Sequence, residues 1–278
     1  MNKIKNIACL GGDERQNYVI SKLIENGYNV NFINKIEENT NFYDGIILPL
    51  PMTVDNVKIN NTDIEIKDFI NNINSSQVVF AGKVNEKTIS MFNQRNIKMF
   101  DYYLRDEFAL KNSVPTALGV LNYVLSKTKT VISETTILVI GYGRCARAIC
   151  KIFDSLGASI TAASRRYMTV AEAESNGING CLIKDMDKFF ENTDVIINTV
   201  PYPVIDKKYI DKLRKDTMII DISSAPFGFD YQYAESVGIK IKLLPSIPGK
   251  CFPVSAGNII ADTIKNIIEE EGLWIKLS

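Results

Sequence analysis

The segment Ile137-Leu-Val-Ile140-Gly141-Tyr-Gly143-Arg-Cys-Ala146 is the most informative part of this chain. Four apolar residues indicate a buried strand, and the pattern G-x-G-x-x-A follows at once, before a helical stretch. In that position Gly141 allows the tight turn, Gly143 lets the backbone approach a pyrophosphate, and Ala146 permits close helix–strand packing. The free N–H groups of the helix N-terminus then face the anion. We therefore predict a dinucleotide-binding turn, the alternative being a glycine-rich turn that binds nothing.

The next strand ends in Ser164-Arg165-Arg166. NAD-binding units usually carry Asp or Glu about 20 residues after the glycines, where the acid binds the ribose 2′-hydroxyl. This chain has neither there. A small hydroxyl followed by two guanidinium groups suits a 2′-phosphate, through charge-assisted and bidentate hydrogen bonds. The sequence thus predicts NADP(H), unless Arg165 and Arg166 are only solvated surface charges.

Other cofactor contacts are expected where later strands end, because ligands of parallel α/β sheets bind beyond the carboxyl ends of strands. Arg144 is expected to contact a cofactor phosphate. The complete set of predicted cofactor-binding residues is Gly141, Gly143, Arg144, Cys145, Ala146, Ser164, Arg165, Arg166, Thr199, Val200, Pro201 and Ser223.

Short apolar runs alternate with amphipathic segments along the whole chain, which is the βαβ pattern of parallel sheets. The strand–glycine turn–helix unit occurs twice, at 7–26 and 137–156. We predict an α/β fold with two Rossmann-like lobes, joined by a connector helix and a C-terminal crossing helix. The predicted domains are 1–114 with a helix at about 254–278 packing back onto it, a connector helix at 115–130 with Pro115 in its first turn, and an NADP-binding domain at 131–253.

Composition excludes several classes of function. The 278 residues include 32 Lys and Arg against 32 Asp and Glu, so no basic excess points to nucleic acid. No apolar run approaches the ~20 residues of a membrane span, and no signal peptide is evident, so we expect a cytoplasmic protein. The five cysteines are scattered along the chain, which favours reduced thiols. The chain has no histidine, which excludes a His base, a Ser-His-Asp triad and His-based zinc sites; no metal site is predicted.

The first glycine turn, Gly11-Gly-Asp-Glu-Arg15, does not match G-x-G-x-x-G, and its two acids would repel a pyrophosphate. A dinucleotide is therefore not expected in the first lobe. Arg15 is instead a candidate for binding a substrate carboxylate, or else a surface arginine. Arg105, Ser113 and Thr116 are further substrate candidates near the connector helix. The alternative for the last two is that they cap that helix.

Several of these segments together resemble the family of A subunits of bacterial dipicolinate synthase. The resemblance covers essentially the whole chain, and its first-lobe motifs are more specific than the shared glycine fingerprint. Leu118 departs from it, because relatives are expected to carry Glu there, which weakens any acidic role for the connector helix. The matching segments are Gly11-Gly-Asp-x-Arg15-Gln16, Arg105-Asp106, Asn112-Ser-x-Pro-Thr116, Gly141-x-Gly-Arg144 and Leu244-Pro-x-x-Pro-Gly249.

This resemblance implies a nicotinamide-dependent subunit that forms dipicolinate from a dihydro- or hydroxytetrahydrodipicolinate. It implies that the partner is a flavoprotein-like B subunit, that the location is the mother cell of a sporulating bacterium, and that the fold is like that of D-2-hydroxyacid and alanine dehydrogenases. A homo-oligomer is also expected. The small dicarboxylate substrate needs cationic or N–H partners, for which Arg15, Arg105, Ser113 and Thr116 are the candidates. The base stays open among Asp13, Asp106 and water.

Two other functions fit the same motifs. One is another NADP-dependent dehydrogenase acting on an amino or hydroxy acid, although the missing histidine argues against the hydroxyacid version. The other is a non-catalytic, nucleotide-binding subunit of a complex. Intact glycines do not separate an enzyme from such a subunit, because both bind the cofactor.

Overall fold

The computed structural model describes residues 4–35 and 42–273. The chain divides into two compact units. Unit 1 comprises 1–112 and 248–278, and unit 2 comprises 113–247. Two helices contain the boundaries between them, α4 (Asp106–Lys127) and α9 (Ile247–Cys251).

Unit 1 is built on a five-stranded parallel sheet. Its strands are β1 (Asn6–Leu10), β2 (Asn29–Ile33), β3 (Gly45–Ile47), β4 (Val78–Ala81) and β5 (Lys98–Asp101), and its helices are α1 (Arg15–Glu25), α2 (Ile66–Asn72), α3 (Glu86–Gln94) and α10 (Pro253–Glu270). The strand order is β2-β1-β3-β4-β5. Ile7 of β1 pairs with Val30 and with Gly45, which fixes the register on both sides of β1. One face of this sheet forms a core with α1 and α10 that includes Val19 and Ile264.

Unit 2 is built on a six-stranded parallel sheet. Its strands are β6 (Thr136–Ile140), β7 (Ser159–Ser164), β8 (Asn179–Leu182), β9 (Val195–Asn198), β10 (Met218–Asp221) and β11 (Ile241–Leu243), and its helices besides α4 are α5 (Arg144–Ser155), α6 (Tyr167–Ser175), α7 (Lys207–Ile210) and α8 (Tyr231–Ser236). The order is β11-β10-β9-β6-β7-β8. The strand order reverses direction beside β6, and such a switch point is where open α/β sheets bind ligands.

The predicted α/β fold with two parallel Rossmann-like sheets is confirmed. Strand β8 (Asn179–Leu182) has no apolar run in the sequence to indicate it. Its four residues, Asn-Gly-Cys-Leu, lie at the sheet edge, and glycine is a poor strand former. Gly180 has a packing reason instead, because a Cβ there would lie 2.7 Å from Val170 Cγ1 on α6.

The connector helix starts earlier than predicted. α4 begins at Asp106, so Pro115 lies inside the helix and not in its first turn. A proline there removes a helical hydrogen bond. Burial of Ala117, Val120 and Val124 in the core of unit 2 stabilises the helix around it. Because both residues now lie well inside α4, the capping alternative for Ser113 and Thr116 is wrong.

The C-terminal helix α10 ends at Glu270, whereas the prediction extended it to 278; residues 274–278 lie outside the described part of the chain. Within unit 1 the helix packs closely against α1. A Cβ at Gly257 would lie 2.6 Å from the carbonyl oxygen of Arg15, so this contact requires glycine. Between residues 4 and 35 and between 42 and 273, no helix is long and apolar enough to cross a lipid bilayer.

Candidate cofactor and substrate sites

The glycine turn after β6 has the geometry that its sequence predicts. Gly141 has φ +101°, and a Cβ there would collide with the hydroxyl oxygen of Thr199. Gly143 is the N-cap of α5, and an added Cβ would meet no atom within 4 Å. Ala146 is fully buried in the core of unit 2. The turn therefore needs glycine at 141 for its own conformation, whereas Gly143 leaves open space in front of the helix N-terminus.

A cavity of about 660 Å³ lies beyond the carboxyl ends of the central strands of unit 2. Its lining is Gly141, Tyr142, Gly143, Arg147, Ser164, Arg165, Arg166, Thr169, Ile183, Thr199, Val200 and Pro201. The structure thus brings most of the predicted cofactor residues to one cavity. The predicted residues outside the lining are Arg144, Cys145, Ala146 and Ser223.

These four residues have different surroundings. Arg144 and Cys145 are the first two residues of α5. Burial raises the pKa of the Cys145 thiol. Ala146 packs into the core, as its predicted role in helix–strand contact requires. Ser223 is buried, and its hydroxyl has no hydrogen-bond partner among the described residues.

Sequence reasoning missed Tyr142, Arg147, Thr169 and Ile183 in the cavity wall. Arg147 donates from Nε to the carbonyl oxygen of Tyr142 (3.2 Å) and from Nη2 to Glu172 (2.8 Å). Its guanidinium also lies over the Tyr142 ring, 5.4 Å from the centroid. The sequence signal that could have identified Arg147 is its position one helical turn after Gly143, the N-cap of α5. Thr169 and Ile183 come from α6 and the segment after β8, and no motif marks them.

The cavity is cationic. Arg165 and Arg166 are exposed, and neither forms an ion pair within the described ranges. No Asp or Glu contributes to the lining. Thr169 is only 6% exposed, and its hydroxyl has no hydrogen-bond partner in the described structure. A buried hydroxyl without a partner is costly. The open N-terminus of α5, the two free guanidinium groups and this hydroxyl together fit an anionic nucleotide.

A buried carboxylate holds the loops next to this cavity. Asp221 Oδ1 accepts hydrogen bonds from Asn198 Nδ2 (2.9 Å) and Ser223 N (2.8 Å). Its Oδ2 accepts from Gly228 N (3.1 Å) and the Tyr231 hydroxyl (2.9 Å). Burial, with the nearby Asp221 charge, raises the pKa of Tyr231 well above its usual range, so its hydroxyl stays a donor. A Cβ at Gly228 would collide with the Asn198 side chain, so this position requires glycine.

We expect Asp221→Asn to lower the free energy of unfolding by ~1–3 kcal/mol, the usual cost of a buried donor left unpaired. The amide nitrogen of asparagine would face N–H and O–H donors that now point at a carboxylate oxygen. Urea denaturation measures the change. The control is Asp216→Asn, an exposed acid paired with Arg214. Equal stability of the two variants would contradict this account of the network.

Asp13 and Arg15 form a fixed pair at the start of α1 in unit 1. Arg15 donates from Nε to Asp13 Oδ1 and from Nη2 to Asp13 Oδ2, both at 2.8 Å, and also to the carbonyl oxygen of Leu50. Burial alone would raise the pKa of Asp13, but the hydrogen bonds and charge of Arg15 outweigh it and lower this pKa. A carboxylate held in this way is a poor proton acceptor, which disfavours Asp13 as the base.

Arg105 is bound to acids in the same unit. Its Nε donates to Glu107 (2.8 Å), and its Nη2 donates to both carboxylate oxygens of Glu270 (2.8 and 2.7 Å). These acids raise the pKa of Arg105, so it stays charged. Asp106 follows it as the first residue of α4. Ser113 and Thr116 are buried on α4 in unit 2. A role for these residues in substrate binding stays a prediction.

Comparison with known proteins finds a family match in each of the two units. Residues 6–103 match the family model for the N-terminal domain of the dipicolinate synthase A subunit. Residues 122–227 match the D-isomer specific 2-hydroxyacid dehydrogenase, NAD binding domain. Unit 2 is thus a nicotinamide-dinucleotide-binding domain of the dehydrogenase type, and its glycine turn and cavity fit that assignment.

Relatives match over nearly the full length. The dipicolinate synthase A subunit of Bacillus subtilis (strain 168) is 28% identical, with 95% of this chain and 96% of the relative covered. The crystal structure of the dipicolinate synthase A subunit from Bacillus halodurans superposes with a TM-score of 0.87 at 27% identity, covering 96% of this chain and 99% of that one. D-lactate dehydrogenase from Escherichia coli, at 13% identity, TM-score 0.66 and coverage of 97% and 98%, shares the fold alone. The resemblance found in the sequence is confirmed.

Proposed function

This chain belongs to the family of dipicolinate synthase A subunits, and from that premise we propose that it forms dipicolinate for spore formation. The proposed substrate is dihydrodipicolinate or its hydroxytetrahydro precursor, and the proposed hydride acceptor is NADP⁺. The match of residues 6–103 carries the substrate assignment. A dehydrogenase-type nucleotide domain alone would not, because that fold serves many substrates.

The preference for NADP rests on charge at the end of β7. Ser164 is followed by two exposed arginines, and no acid lines the cavity to bind a ribose 2′-hydroxyl. The matched domain family is named for NAD, so this preference is argued from Arg165 and Arg166 and not from the family. A 2′-phosphate accepts charge-assisted bonds that the hydroxyl of NAD cannot.

When bound, the cofactor accepts the hydride. The dihydropyridine ring loses that hydride and one proton and becomes the aromatic pyridine; a hydroxytetrahydro substrate must first lose water. Because the product is aromatic, the protein's main task is to position the reactants. Arg15, Arg105, Ser113 and Thr116 are the proposed partners of the substrate carboxylates. Asp106 and water are the remaining candidates for accepting the proton.

The Arg105 side chain is 32% exposed and pairs with two acids, Glu107 and Glu270, which would repel a substrate carboxylate. The Arg15 side chain is 10% exposed and pairs with one described acid, Asp13. We therefore expect a smaller loss of dipicolinate affinity for Arg105→Ala than for Arg15→Ala.

The family also supplies the proposed setting, which is the cytoplasm of the mother cell of a sporulating bacterium. The proposed partner is the flavoprotein-like B subunit, and a homo-oligomer is proposed as well. Nucleic acid and membrane are not among the proposed partners.

An assay of the purified chain with NADP⁺ and freshly made dihydrodipicolinate, with and without the B subunit, tests this function. We expect NADPH formation, followed by its absorbance, together with dipicolinate. Activity only with the B subunit would show that the chain needs its partner. Cofactor binding without any turnover, even with the partner, would make it a non-catalytic subunit. Turnover of an amino or hydroxy acid instead would assign another dehydrogenase activity.

A further inference from the structure

We infer that Arg15 is the primary anchor for one carboxylate of the substrate, and that Asp13 and Gly249 are positioning residues that hold its guanidinium in place. The inference rests on the proposed function for the identity of the ligand, a small aromatic dicarboxylate. All the residues that support it belong to unit 1.

The guanidinium of Arg15 is buried and held from several sides. The residue is 9% exposed. Asp13 accepts from Nε and Nη2, and the carbonyl oxygen of Leu50 accepts from Nη2. Such bidentate pairing fixes the plane of a guanidinium, because two parallel N–H···O bonds allow little rotation. A flexible surface arginine has no such restraint, so this side chain is ordered before any ligand binds.

Backbone contact completes the restraint. Gly249, in α9, lies directly against Arg15: a Cβ there would be 2.9 Å from Nε and 3.0 Å from Cζ. A larger residue would therefore push the guanidinium away from its present position. Gly257 lies equally close to the backbone of the same residue, where a Cβ would be 2.6 Å from the Arg15 carbonyl oxygen. Two glycines that lie far from Arg15 in the sequence, Gly249 and Gly257, are thus needed for it to occupy this position.

One edge of the guanidinium remains available. Nη1 of Arg15 forms no hydrogen bond to any described residue, and it is not among the fully buried polar atoms that lack a partner. It therefore keeps contact with solvent while the other nitrogens are engaged. An arginine whose Nε and Nη2 are fixed and whose Nη1 is open can still donate two N–H groups to a ligand oxygen.

The neighbouring side chain gives an independent indication of a ligand. Gln16 is 4% exposed, and its amide nitrogen is fully buried without a hydrogen-bond partner among the described residues. It packs against the same turn, since a Cβ on Gly12 would lie 3.0 Å from that nitrogen. An unpaired buried amide N–H is costly, and an incoming carboxylate oxygen would satisfy it. The motif Gly11-Gly-Asp-x-Arg15-Gln16 thus combines an ordered cation with an unsatisfied donor.

Asp13 consequently positions Arg15 and does not serve as the base. Its carboxylate accepts both the side-chain bonds and the backbone N–H of Arg15 (3.1 Å). It also balances the arginine charge, so that the buried guanidinium is tolerated without the ligand.

Titration calorimetry with dipicolinate on the full chain tests this anchor, using Arg15→Lys, Gly249→Ala and the double variant. Arg15→Lys keeps the charge but removes the planar donors, so dipicolinate should bind about tenfold or more weakly. Gly249→Ala should also weaken binding about tenfold by displacing the guanidinium. The double variant should bind like Arg15→Lys alone, because the glycine acts only through Arg15.

Three further measurements separate this role from a structural one. NADP⁺ affinity should stay near wild type in Gly249→Ala, and its thermal midpoint should fall no further than that of Arg15→Lys, because both variants disturb the same pair of Arg15 with Asp13. The matched control is Arg95→Lys, because Arg95 also donates to a backbone carbonyl in unit 1, that of Asn71. Arg95→Lys should leave dipicolinate affinity unchanged.

Wild-type dipicolinate affinity in Arg15→Lys, or additive effects in the double variant, would overturn the anchor while leaving the proposed function intact. Conversely, weakened binding in these variants with no turnover of dihydrodipicolinate would support the anchor and contradict the proposed activity. A wild-type chain that binds no dipicolinate would overturn both. If Gly249→Ala fails to fold, the dipicolinate affinity of Arg15→Lys alone decides whether Arg15 is the anchor.

Discussion

Gly143→Val is expected to abolish binding of the nicotinamide cofactor while the protein stays folded. No atom lies within 4 Å of an added Cβ at this position, and its φ of −87° suits any residue. The branched side chain would nevertheless fill the space in front of α5, where the pyrophosphate must approach the backbone. Fluorescence titration with NADPH measures the loss, and circular dichroism checks the fold.

The contrasting variant is Gly141→Val in the same turn. Here φ is +101°, and the new side chain would collide with Thr199, so this variant should lose stability as well as binding. The two glycines thus differ in their physical roles. If Gly143→Val binds NADPH normally, the cofactor does not lie at this turn.

The double variant Arg165→Ala/Arg166→Ala is expected to lose affinity for NADP(H) and to keep its affinity for NAD(H). Each charge-assisted bond to the 2′-phosphate contributes ~1.5–3 kcal/mol, which corresponds to about one to two powers of ten in affinity. Both side chains are exposed, and neither is paired with an acid in the described structure, so their removal should cost little stability.

Titration of both cofactors against the wild type and this double variant provides the measurement. Arg214→Ala is a suitable control, because Arg214 is a charged residue of the same unit outside the cavity and is paired with Asp216. Equal wild-type affinities for the two cofactors, or an equal loss for both, would rule out a 2′-phosphate subsite at the end of β7.

Local patterns predicted most of unit 2 and its cavity. The apolar run before Gly141 and the helix after it are adjacent in sequence, so the strand–turn–helix unit is specified by neighbouring residues. Ser164 is the last residue of the next strand and the two arginines follow it directly, so they were predicted for the same reason. Thr169 and Ile183 were not, because they reach the cavity only through the packing of α6 against the sheet and the pairing of β8 with β7.

The prediction failed where packing outweighed a local preference. Proline is favoured in the first turn of a helix. Pro115 nevertheless lies inside α4, because burial of Ala117, Val120 and Val124 after it stabilises the helix. Strand β8 could not be predicted for a related reason. An edge strand of four residues that contains glycine has almost no hydrophobic pattern of its own.

The amino-acid sequence was sufficient to predict the fold class, the dinucleotide turn, the arginines that follow β7 and the family, since each depends on residue types at short, fixed spacings. The partners that lie far along the chain from the charged residues were decided by tertiary structure. Arg15 and Arg105 are equivalent candidates in the sequence, but folding brings Glu270 to Arg105 and Leu50 and Gly249 to Arg15. These contacts join residues far apart in the chain, and they leave Arg15 buried beside one acid and Arg105 more exposed beside two.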